Sequence, residues 1–349
     1  MERFFESFDL WKNTDPTCYT LKDWEFIGNS LFTLTSFTFG AGDLSGKSIS
    51  TYSGIGLALG LLRRAADHKN YLVGFDLVSG GAQASTRQCF SSRNNGVKHL
   101  QVLIDTTGTL VFQLNSTVLY THTSVCTSGQ WYYVELEHIV DPTSGKINIW
   151  IDDVLVFNTT GNTQDTGANA FISSYEIFDT EAHPAFASID NFYYLESNGT
   201  TPRLGPILIE TLLPTADIND TTTSGWSYTG ASSAFDALND LYSASGPSAT
   251  ATVLGSQVKM NFSNSLTSNP LMIHDVLARM QIDVTDIGST NLVAVVKAND
   301  NVWYDSSTFA VKSSTGSFYS YSFPLNPNGN VPWDVSSVEY ADFGLRVVS

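Results

Sequence analysis

Two glutamates, Glu135 and Glu137, are spaced so that they could perform acid–base chemistry. Alternate residues of a β-strand share a face, which places the two carboxylates on one side, roughly 7 Å apart. After side-chain adjustment, such a pair could hydrolyse a glycosidic bond by an inverting or a retaining route. The alternative is that both glutamates are solvated, opposite a buried face of Tyr132, Val134 and Leu136. No third supporting acid accompanies them, so we favour the structural interpretation.

Three aspartates are candidate metal ligands. Asp152 and Asp153 form a predicted hairpin turn, and Asp190 follows in a later strand, so the three could ligate Ca²⁺. Calcium prefers about six to eight oxygen ligands, so these acids with backbone carbonyls would make a weak site. The alternative is that the two adjacent aspartates only form the turn, where Asp is a common residue. The sequence implies no other cofactor.

The histidines form no recognisable metal or nucleophile motif. They are dispersed, without the i, i+4 pair of a helical zinc site. A glycine-rich phosphate loop and a Gly-x-Ser-x-Gly elbow are also missing from the sequence. We therefore predict no catalytic residues. The histidines are His68, His99, His122, His138, His183 and His274.

Aromatic side chains in loop-like contexts could bind sugars, because their rings stack on sugar faces while neighbouring Asn and Asp supply hydrogen bonds. The same residues could instead plug the ends of a β-sandwich or line a subunit interface. We favour the second use for any single residue and assign no glycan-binding residue. The candidates are Tyr52, Tyr71, Tyr120, Trp226, Tyr228, Trp303, Tyr304, Tyr319, Tyr321 and Trp333.

Composition and charge indicate a structural class and exclude some partners. The 349 residues include 17 Lys and Arg against 34 Asp and Glu, a formal net charge of −17. Such a surface repels phosphate backbones and anionic lipids, which argues against nucleic-acid binding and against binding to a membrane surface. Charged residues amount to only 15%, whereas aromatic residues reach 12%. Strands favour Thr, Tyr, Phe and Val, so the chain is predicted to be all-β.

The elements that must position these residues are short alternating runs between turn signals. Leu100–Ile104 and Leu110–Asn115 flank a DTTG turn and predict a hairpin. The run around Glu135 and the two runs after it predict a three-stranded antiparallel meander. A short helix capped by Ser232 or Ser233 is expected in SAFDALNDLY. Residues 61–69 contain helix formers without a clean start, and residues 273–280 are ambiguous between helix and strand.

One break in this pattern predicts the domain organisation. Residues 196–206, ESNGTTPRLGP, have no periodicity and follow the strong strand ASIDNFYYL, which is typical of a linker. We predict two antiparallel β-sandwich domains of jelly-roll type, residues 1–198 and 199–349, with less than about 10% helix. No fixed-period repeat is present, which argues against solenoids and propellers.

Targeting and redox features predict a chain that is made and kept soluble. The N-terminal residues are acidic where a secretory signal needs positive charge, and no apolar run is long enough to span a membrane. Cys18, Cys89 and Cys126 are too few and too scattered for a disulfide framework. We expect reduced, mostly buried thiols, with one disulfide among them left open.

The run Gly129–Asn158, followed by Ala187–Glu196, resembles the laminin-G-like or concanavalin-A-like jelly roll. In that family a Trp opens one strand, a Gly turn leads to a strand ending in a short acidic hairpin, and an Ile-Asp-Asn strand closes the sandwich. The runs ESFDLW and KDWEFIG are similar to the start of such domains in tailed-bacteriophage proteins. Jelly-roll glucanases carry three acids on one strand face, and the third is missing here.

Residues 203–240 and 331–348 resemble a second module of phage virion proteins. In that module a Leu-Gly-Asp strand precedes Leu-Pro-Thr-Ala-Asp, a Trp and an Ala-Leu-Asn-Asp segment, and a Gly-Leu-Arg-Val strand ends it. Pro206 stands where the family usually has Asp, so no role of that Asp is carried over.

The two resemblances together imply a non-enzymatic structural protein of a phage virion, synthesised in the host cytoplasm. It would be an exposed appendage, either a tail fibre or adhesin component or a capsid or collar decoration. Its partners would be other virion proteins and further copies of itself, with a trimer favoured, and it could contact host surface glycans. Two alternatives stay open: a polysaccharide-degrading glycoside hydrolase of jelly-roll fold and a free carbohydrate-binding lectin.

Overall fold

A computed structural model divides the chain into two compact units, Met1–Ile209 and Glu210–Ser349. This division falls later along the chain than the predicted boundary between residues 198 and 199. The ESFDLW run beyond residue 6, Cys18 and Tyr52 lie outside the described residues. The structure describes residues 3–6, 24–27, 33–35, 48–50, 60–80, 85–94, 97–164, 171–178, 187–197, 202–218, 225–238, 247–251, 253–262, 266, 270, 272–282, 290–311 and 317–348.

Antiparallel strands in two sheets build the first unit. Sheet A has the order β13-β12-β11-β6-β15-β4-β3, with β1 also paired to β15, and sheet B has the order β10-β9-β8-β7-β14-β5-β2. The segment with helix formers, residues 61–69, lies mostly in strand β5. The strands are β1 (Arg3–Glu6), β2 (Trp24–Ile27), β3 (Thr33–Thr35), β4 (Ser48–Ser50), β5 (Gly60–His68), β6 (Asn70–Ser79), β7 (Arg87–Asn94), β8 (Val97–Ile104), β9 (Thr109–Leu114), β10 (Thr117–Val125), β11 (Trp131–Ile139), β12 (Gly145–Ile151), β13 (Val154–Gly161), β14 (Ile172–Ile177) and β15 (Ala187–Glu196).

The core of the first unit lies between the two sheets. Ile177, Phe90, Val102 and Phe112 are in register across four strands of sheet B, and all are buried. The Phe90 ring lies 5.5 Å, centroid to centroid, from the ring of Phe75 on sheet A. Sheets A and B therefore pack face to face as a β-sandwich, and the residues between these core positions point to the outer faces.

The predicted turns and hairpins of the first unit are confirmed. β8 and β9 form the expected hairpin, with Leu100 opposite Leu114. β11, β12 and β13 form the predicted meander. The turn between β12 and β13 consists of Asp152 and Asp153, whose φ angles are 48° and 68°. Positive φ at both central residues is the two-residue turn that matches strand twist, and Asp tolerates it.

The second unit contains a larger sheet, two strand pairs and two short helices. The larger sheet has the order β16-β19-β25-β21-β22, with β23 also paired to β21, and the pairs are β17-β18 and β20-β24. Residues 276–280, which the sequence left ambiguous, belong to a strand. The elements are β16 (Pro214–Asp217), β17 (Trp226–Thr229), α1 (Ala234–Leu238), β18 (Ser248–Ala251), β19 (Gln257–Phe262), β20 (Val276–Ile282), β21 (Thr290–Lys297), β22 (Trp303–Asp305), β23 (Phe309–Val311), β24 (Ser317–Phe323), α2 (Val335–Glu339) and β25 (Asp342–Val347).

The β20-β24 pair packs on the larger sheet and closes the second core. Phe323 of β24 and Ala294, Val296 and Phe343 of the larger sheet belong to one buried cluster. Trp333 joins that cluster and donates its indole N–H to the Phe323 carbonyl at 2.7 Å. The second unit is therefore also a layered all-β structure, as predicted.

The predicted helix near residues 232–241 is confirmed as α1. The Ser233 hydroxyl accepts a hydrogen bond from the Asp236 amide at 3.2 Å, which is the expected N-terminal cap. In α2, Asp334 caps the helix and Ser337 completes a capping box. No helix among the described residues is long and apolar enough to cross a membrane.

Two of the cysteines are buried, as expected. These are Cys89 and Cys126, and Cys18 lies outside the described residues. Burial raises the pKa of the Cys126 thiol to about 11. Because the thiolate is the reactive form, this thiol is inert at neutral pH.

A chain of polar groups crosses the core of the first unit. His138 Nε2 lies 3.0 Å from the Thr163 carbonyl oxygen, which can only accept, so Nε2 carries the ring proton. Nδ1 of His138 then accepts from the Tyr71 hydroxyl at 2.8 Å, and Tyr71 lies 2.8 Å from Ser92 Oγ. Burial, with a smaller contribution from the nearby His99, lowers the pKa of His138 from 6.5 to about 3.

This neutral histidine makes the first unit sensitive to acid. Below about pH 6.5, His138 takes up a proton in the unfolded chain but not in the folded one. The free energy of unfolding therefore falls as the pH drops toward 3. The slope contributed is up to about 1.4 kcal/mol per pH unit. We expect His138→Gln to remove this contribution. The measurement is the free energy of unfolding in urea at a series of pH values, taken from the transition in which Trp150 becomes exposed.

The partly exposed His122 provides the matched control, and His122→Gln should leave the pH slope of unfolding unchanged. An identical slope in the wild type and in His138→Gln would contradict the prediction.

Candidate functional site

The outer face of sheet A carries the first candidate cluster. Trp150, Glu135, Gly74 and Tyr193 are in register across β12, β11, β6 and β15. Glu135 is fully buried although it lies on the face that points away from the core. Something other than sheet B must therefore cover this row.

The cover is the segment of residues 202–209, which we call the strap. Leu204 and Ile207 of the strap pack against a buried cluster that includes Tyr133 and Tyr193. The Ile209 amide donates to Asn191 Oδ1 at 2.9 Å. Residues 202–206 were predicted as part of a linker, and this prediction is wrong because they pack on the sheet.

The strap is held by the Glu135 carboxylate. Arg203 Nε donates to Glu135 Oε2 at 2.5 Å, and the amides of Leu204 and Gly205 donate to Oε1 at 3.2 and 3.4 Å. The Tyr193 hydroxyl also donates to Oε1, at 2.6 Å. Both carboxylate oxygens are thus engaged, which compensates for the burial of the charge.

Arg203 makes two further contacts. Its guanidinium carbon lies 4.5 Å from the centre of the Trp150 ring, and its other end pairs with Asp153 at the β12–β13 turn. Partial burial alone would lower the pKa of Arg203, but its hydrogen bonds to Glu135 and Asp153 raise it. Arg203 is therefore a fixed positive charge that ties the strap to the sheet.

The cluster requires a glycine at position 74, because the Tyr193 ring lies directly over this position and leaves no room for a side chain. A Cβ atom at Gly74 would lie 2.2 Å from Tyr193 Cε1. The hydroxyls of Tyr193 and Tyr133 are 2.8 Å apart. Burial, then the negative charge of Glu135, raises the pKa of Tyr133, so this phenol stays protonated.

These contacts correct the expectation that both glutamates are solvated. Glu135 is buried under the strap, whereas Glu137 is partly exposed and pairs with Lys146 Nζ at 3.0 Å. Asn148 Nδ2 also donates to Glu137 at 2.7 Å. The two acids do share one face, as the alternation predicted.

The candidate calcium ligands are in separate environments. Asp153 pairs with Arg203, and Asp152 Oδ1 accepts the Tyr133 amide at 2.8 Å. Asp190 lies on β15, and strands β11 and β6 separate β15 from β12. Within the described ranges, no group of three or more His, Cys, Asp or Glu side chains is placed to hold a metal ion.

A second cluster lies on the outer face of sheet B. Glu176, Ser91, Gln101 and Gln113 are in register across β14, β7, β8 and β9. We call these four residues the polar row. The neighbouring row, which includes Phe90, points into the core, so the polar row points away from it. With strands about 4.8 Å apart, the row is roughly 14 Å long.

Glu176 is the centre of hydrogen bonding in the polar row. Its Oε2 accepts from Gln88 Nε2 at 2.6 Å and from Ser91 Oγ at 2.9 Å, and it pairs with an Arg93 terminal nitrogen at 2.6 Å. Glu176 and Ser91 are fully buried, and Gln101 is nearly so. The carboxylate charge is thus paired, but only through one of its oxygens.

Three buried polar atoms around Glu176 are left over. Glu176 Oε1, Gln88 Oε1 and Arg93 Nε have no hydrogen-bond partner in the part of the chain that the structure describes. Buried polar groups usually have a hydrogen-bond partner. Two acceptors and one donor without a partner therefore need an explanation, such as a bound water or a ligand. These atoms keep unused hydrogen-bonding capacity, but they lie in a part of the row that solvent does not reach, because Glu176 and Ser91 are fully buried.

No motif in the sequence predicts this cluster. Glu176 occurs in the run ISSYEI and Arg93 in RQCFSSRN, which are separated by about eighty residues of chain. Alternation within each run indicates that Ser91 and Arg93 share a face, as do Ser174 and Glu176. Only the pairing of β7 with β14 brings the two faces together.

Most of the candidate sugar-binding aromatic residues have structural positions. Tyr71 is fully buried between the sheets, and Trp333 is buried in the second core. The Trp303 ring is covered by Lys259 Nζ at 4.4 Å from the ring centre, and Tyr304 donates to Asp300. Tyr120, Trp226, Tyr228, Tyr319 and Tyr321 are partly buried.

Comparison with known proteins identifies no family for this chain. The sequence matches no protein-family model, and no curated protein matches it. A sialidase structure superposes with a TM-score of 0.41 at 12% identity over 56% of this chain, and the matched part is 18% of that sialidase. The cellulose induced protein Cip1 gives 0.39 at 13% identity, over 56% of this chain and 97% of its own. The alginate lyase Aly36B gives 0.34 at 14% identity, over 50% and 96%.

At these identities and TM-scores, the three matches carry no argument about what this chain binds or does.

Removing the strap's arginine should destabilise the first unit. Arg203→Ala leaves the buried Glu135 without its cation, which costs about 3 kcal/mol. Urea unfolding of the purified variant would measure the loss.

Lys146→Ala is the control, because it removes the cation from the more exposed pair with Glu137 and should cost less than about 1 kcal/mol. Equal costs for the two variants would mean that the Glu135–Arg203 pair does not hold the strap.

Proposed function

We propose that the protein is a non-enzymatic carbohydrate-binding β-sandwich protein whose binding site is the polar row on sheet B. The observation that carries this proposal is the set of unpartnered buried atoms around Glu176. They comprise two acceptors, on Glu176 and Gln88, and one donor, on Arg93.

A carbohydrate fits these atoms because each sugar hydroxyl can donate one hydrogen bond and accept others. Because Glu176 is fully buried, a sugar would reach these atoms only by displacing the groups that cover them. One hydroxyl would then donate to Glu176 Oε1 while it accepts from Arg93 Nε. The amides of Gln101 and Gln113 continue the same row and offer a donor and an acceptor each. The row is long enough for an extended chain to contact several of these groups.

The charge balance favours a neutral glycan. Glu176 and Arg93 neutralise each other inside the site. The whole chain carries a net charge of −17, so an anionic polysaccharide would be repelled as it approached. We therefore assign the site to neutral sugars.

We further propose that the protein acts as an exposed appendage of a phage virion. This part of the proposal is supported by the resemblance of residues 203–240 and 331–348 to a phage virion module. A virion adhesin and a free lectin would use the same site, and they differ in whether the protein is found in purified particles.

The absence of catalysis is part of the same proposal. General acid–base hydrolysis needs two available carboxyl groups. Glu135 has both oxygens bonded beneath the strap, and Glu137 is held by Lys146 and Asn148. Neither is free to act on a substrate.

The binding site can be tested on a panel of neutral and acidic polysaccharides. We expect neutral chains to bind, and Gln101→Ala and Gln113→Ala each to weaken binding about tenfold in calorimetry, the loss of one good hydrogen bond.

Gln130→Ala, in the turn before β11, is the matched control and should bind as the wild type does. Unchanged affinity in both row variants would remove the polar row as the site, and binding of acidic chains alone would refute the neutral class.

Catalysis can be tested by incubating the protein with host surface polysaccharide and sizing the products. We expect no shortening. Shortening that is lost in Glu135→Gln or Glu137→Gln, with the melting temperature maintained, would replace our proposal by a glycoside hydrolase of jelly-roll fold.

A further inference from the structure

Strand β13 is an edge of sheet A that nothing in the described chain covers. It pairs with β12 on one side, and it ends the strand order of the sheet. Val154 and Leu155 at its start are 63% and 46% exposed. An edge strand presents a row of free backbone donors and acceptors to any extended segment that approaches.

The sequence of β13 lacks two of the usual protections of an edge. The run VLVFNTTG contains no charged residue and no proline. Natural sheets block their edges with Lys, Pro or bulges, and an apolar edge with few of them pairs with another strand. β13 has one irregularity, between Phe157 and Leu155, and from Gly161 to Phe157 it pairs with β12 regularly.

The edge of sheet B at the same end of the sandwich differs from β13. Strand β10 is also uncharged, and the rings of Tyr120 and Phe157 lie 6.1 Å apart, which joins the two edges. However, β10 has register shifts between Val118 and Tyr120 and between Thr121 and Val125. Such irregularities discourage pairing, and β10 has two of them against one in β13, so β13 is the better template.

We infer that β13 binds β13 of a second copy of this chain in an antiparallel pair, which joins two A sheets into one continuous sheet. Charge argues for this occupant. The chain carries a net charge of −17, so two copies repel each other except where both surfaces are uncharged, and β13 and β10 form such a surface. An uncharged strand, in turn, offers no salt bridge to a charged partner.

Antiparallel pairing of identical strands has two-fold symmetry, because the same residues occupy both sides of the contact. The inferred assembly is therefore a dimer, in contrast to the trimer that the phage resemblance implies. The inference does not depend on the polar row, which lies on the outer face of sheet B.

The experiment is light scattering with the full chain at micromolar concentration and physiological salt. We expect twice the 38.0 kDa mass of one chain. The double variant Val154→Lys/Leu155→Lys places two positive charges on the exposed edge and should give the mass of a single chain.

Val97→Lys is the matched control, because Val97 is 45% exposed at the start of β8 and should leave the mass unchanged. A circular dichroism spectrum like that of the wild type shows that each variant is folded. Hydrogen exchange provides a second measurement: amides of β13 should be protected in the dimer and lose protection on dilution to monomer.

A wild-type protein that remains a single chain at these concentrations would overturn the inference. A trimer would overturn it too, as would a dimer that the double variant leaves intact or that leaves the β13 amides unprotected.

Discussion

The buried carboxylate of Glu135 is the constraint on which the outer face of sheet A depends. A charged group without solvent contact is stable only when its oxygens accept hydrogen bonds from several donors. Those donors come from Tyr193 on β15 and from Arg203 and two amides of the strap. Gly74 must lack a side chain so that Tyr193 can reach across. One carboxylate therefore fixes a tyrosine, a glycine and the path of the chain as it leaves the first unit.

Each outer face of the sandwich carries a buried carboxylate, and the two carboxylates differ in how completely their oxygens are hydrogen-bonded. On sheet A both oxygens of Glu135 are bonded, and an arginine stacked on Trp150 completes the cluster. On sheet B one oxygen of Glu176 accepts three hydrogen bonds while the other has no partner in the described chain. A closed cluster stabilises structure, whereas an incomplete one retains hydrogen-bonding capacity for a ligand. This contrast gives Glu135 a structural role and is the basis on which we propose the row around Glu176 as the binding site.

Prediction from the sequence succeeded where the information is local. Alternation located the hairpin of β8 and β9 and the meander of β11, β12 and β13, and a serine cap located α1. The assignment of 202–206 to a linker failed because Gly and Pro in RLGP are typical of loops, and local composition does not show what a loop packs on. Solvated glutamates were the natural expectation because alternation assigns a face without showing whether that face is covered.

The sequence by itself determined the fold class, the strands around both glutamates and the face that they share, because strand periodicity is a property of neighbouring residues. It also determined the net charge, which acts at long range irrespective of fold. Only the tertiary structure decided which acids are buried. Glu135 meets Arg203 across a separation of 68 residues, and Glu176 meets Ser91 across 85. Such contacts depend on which strands become neighbours and where the strap lies, and no local pattern in the chain records either.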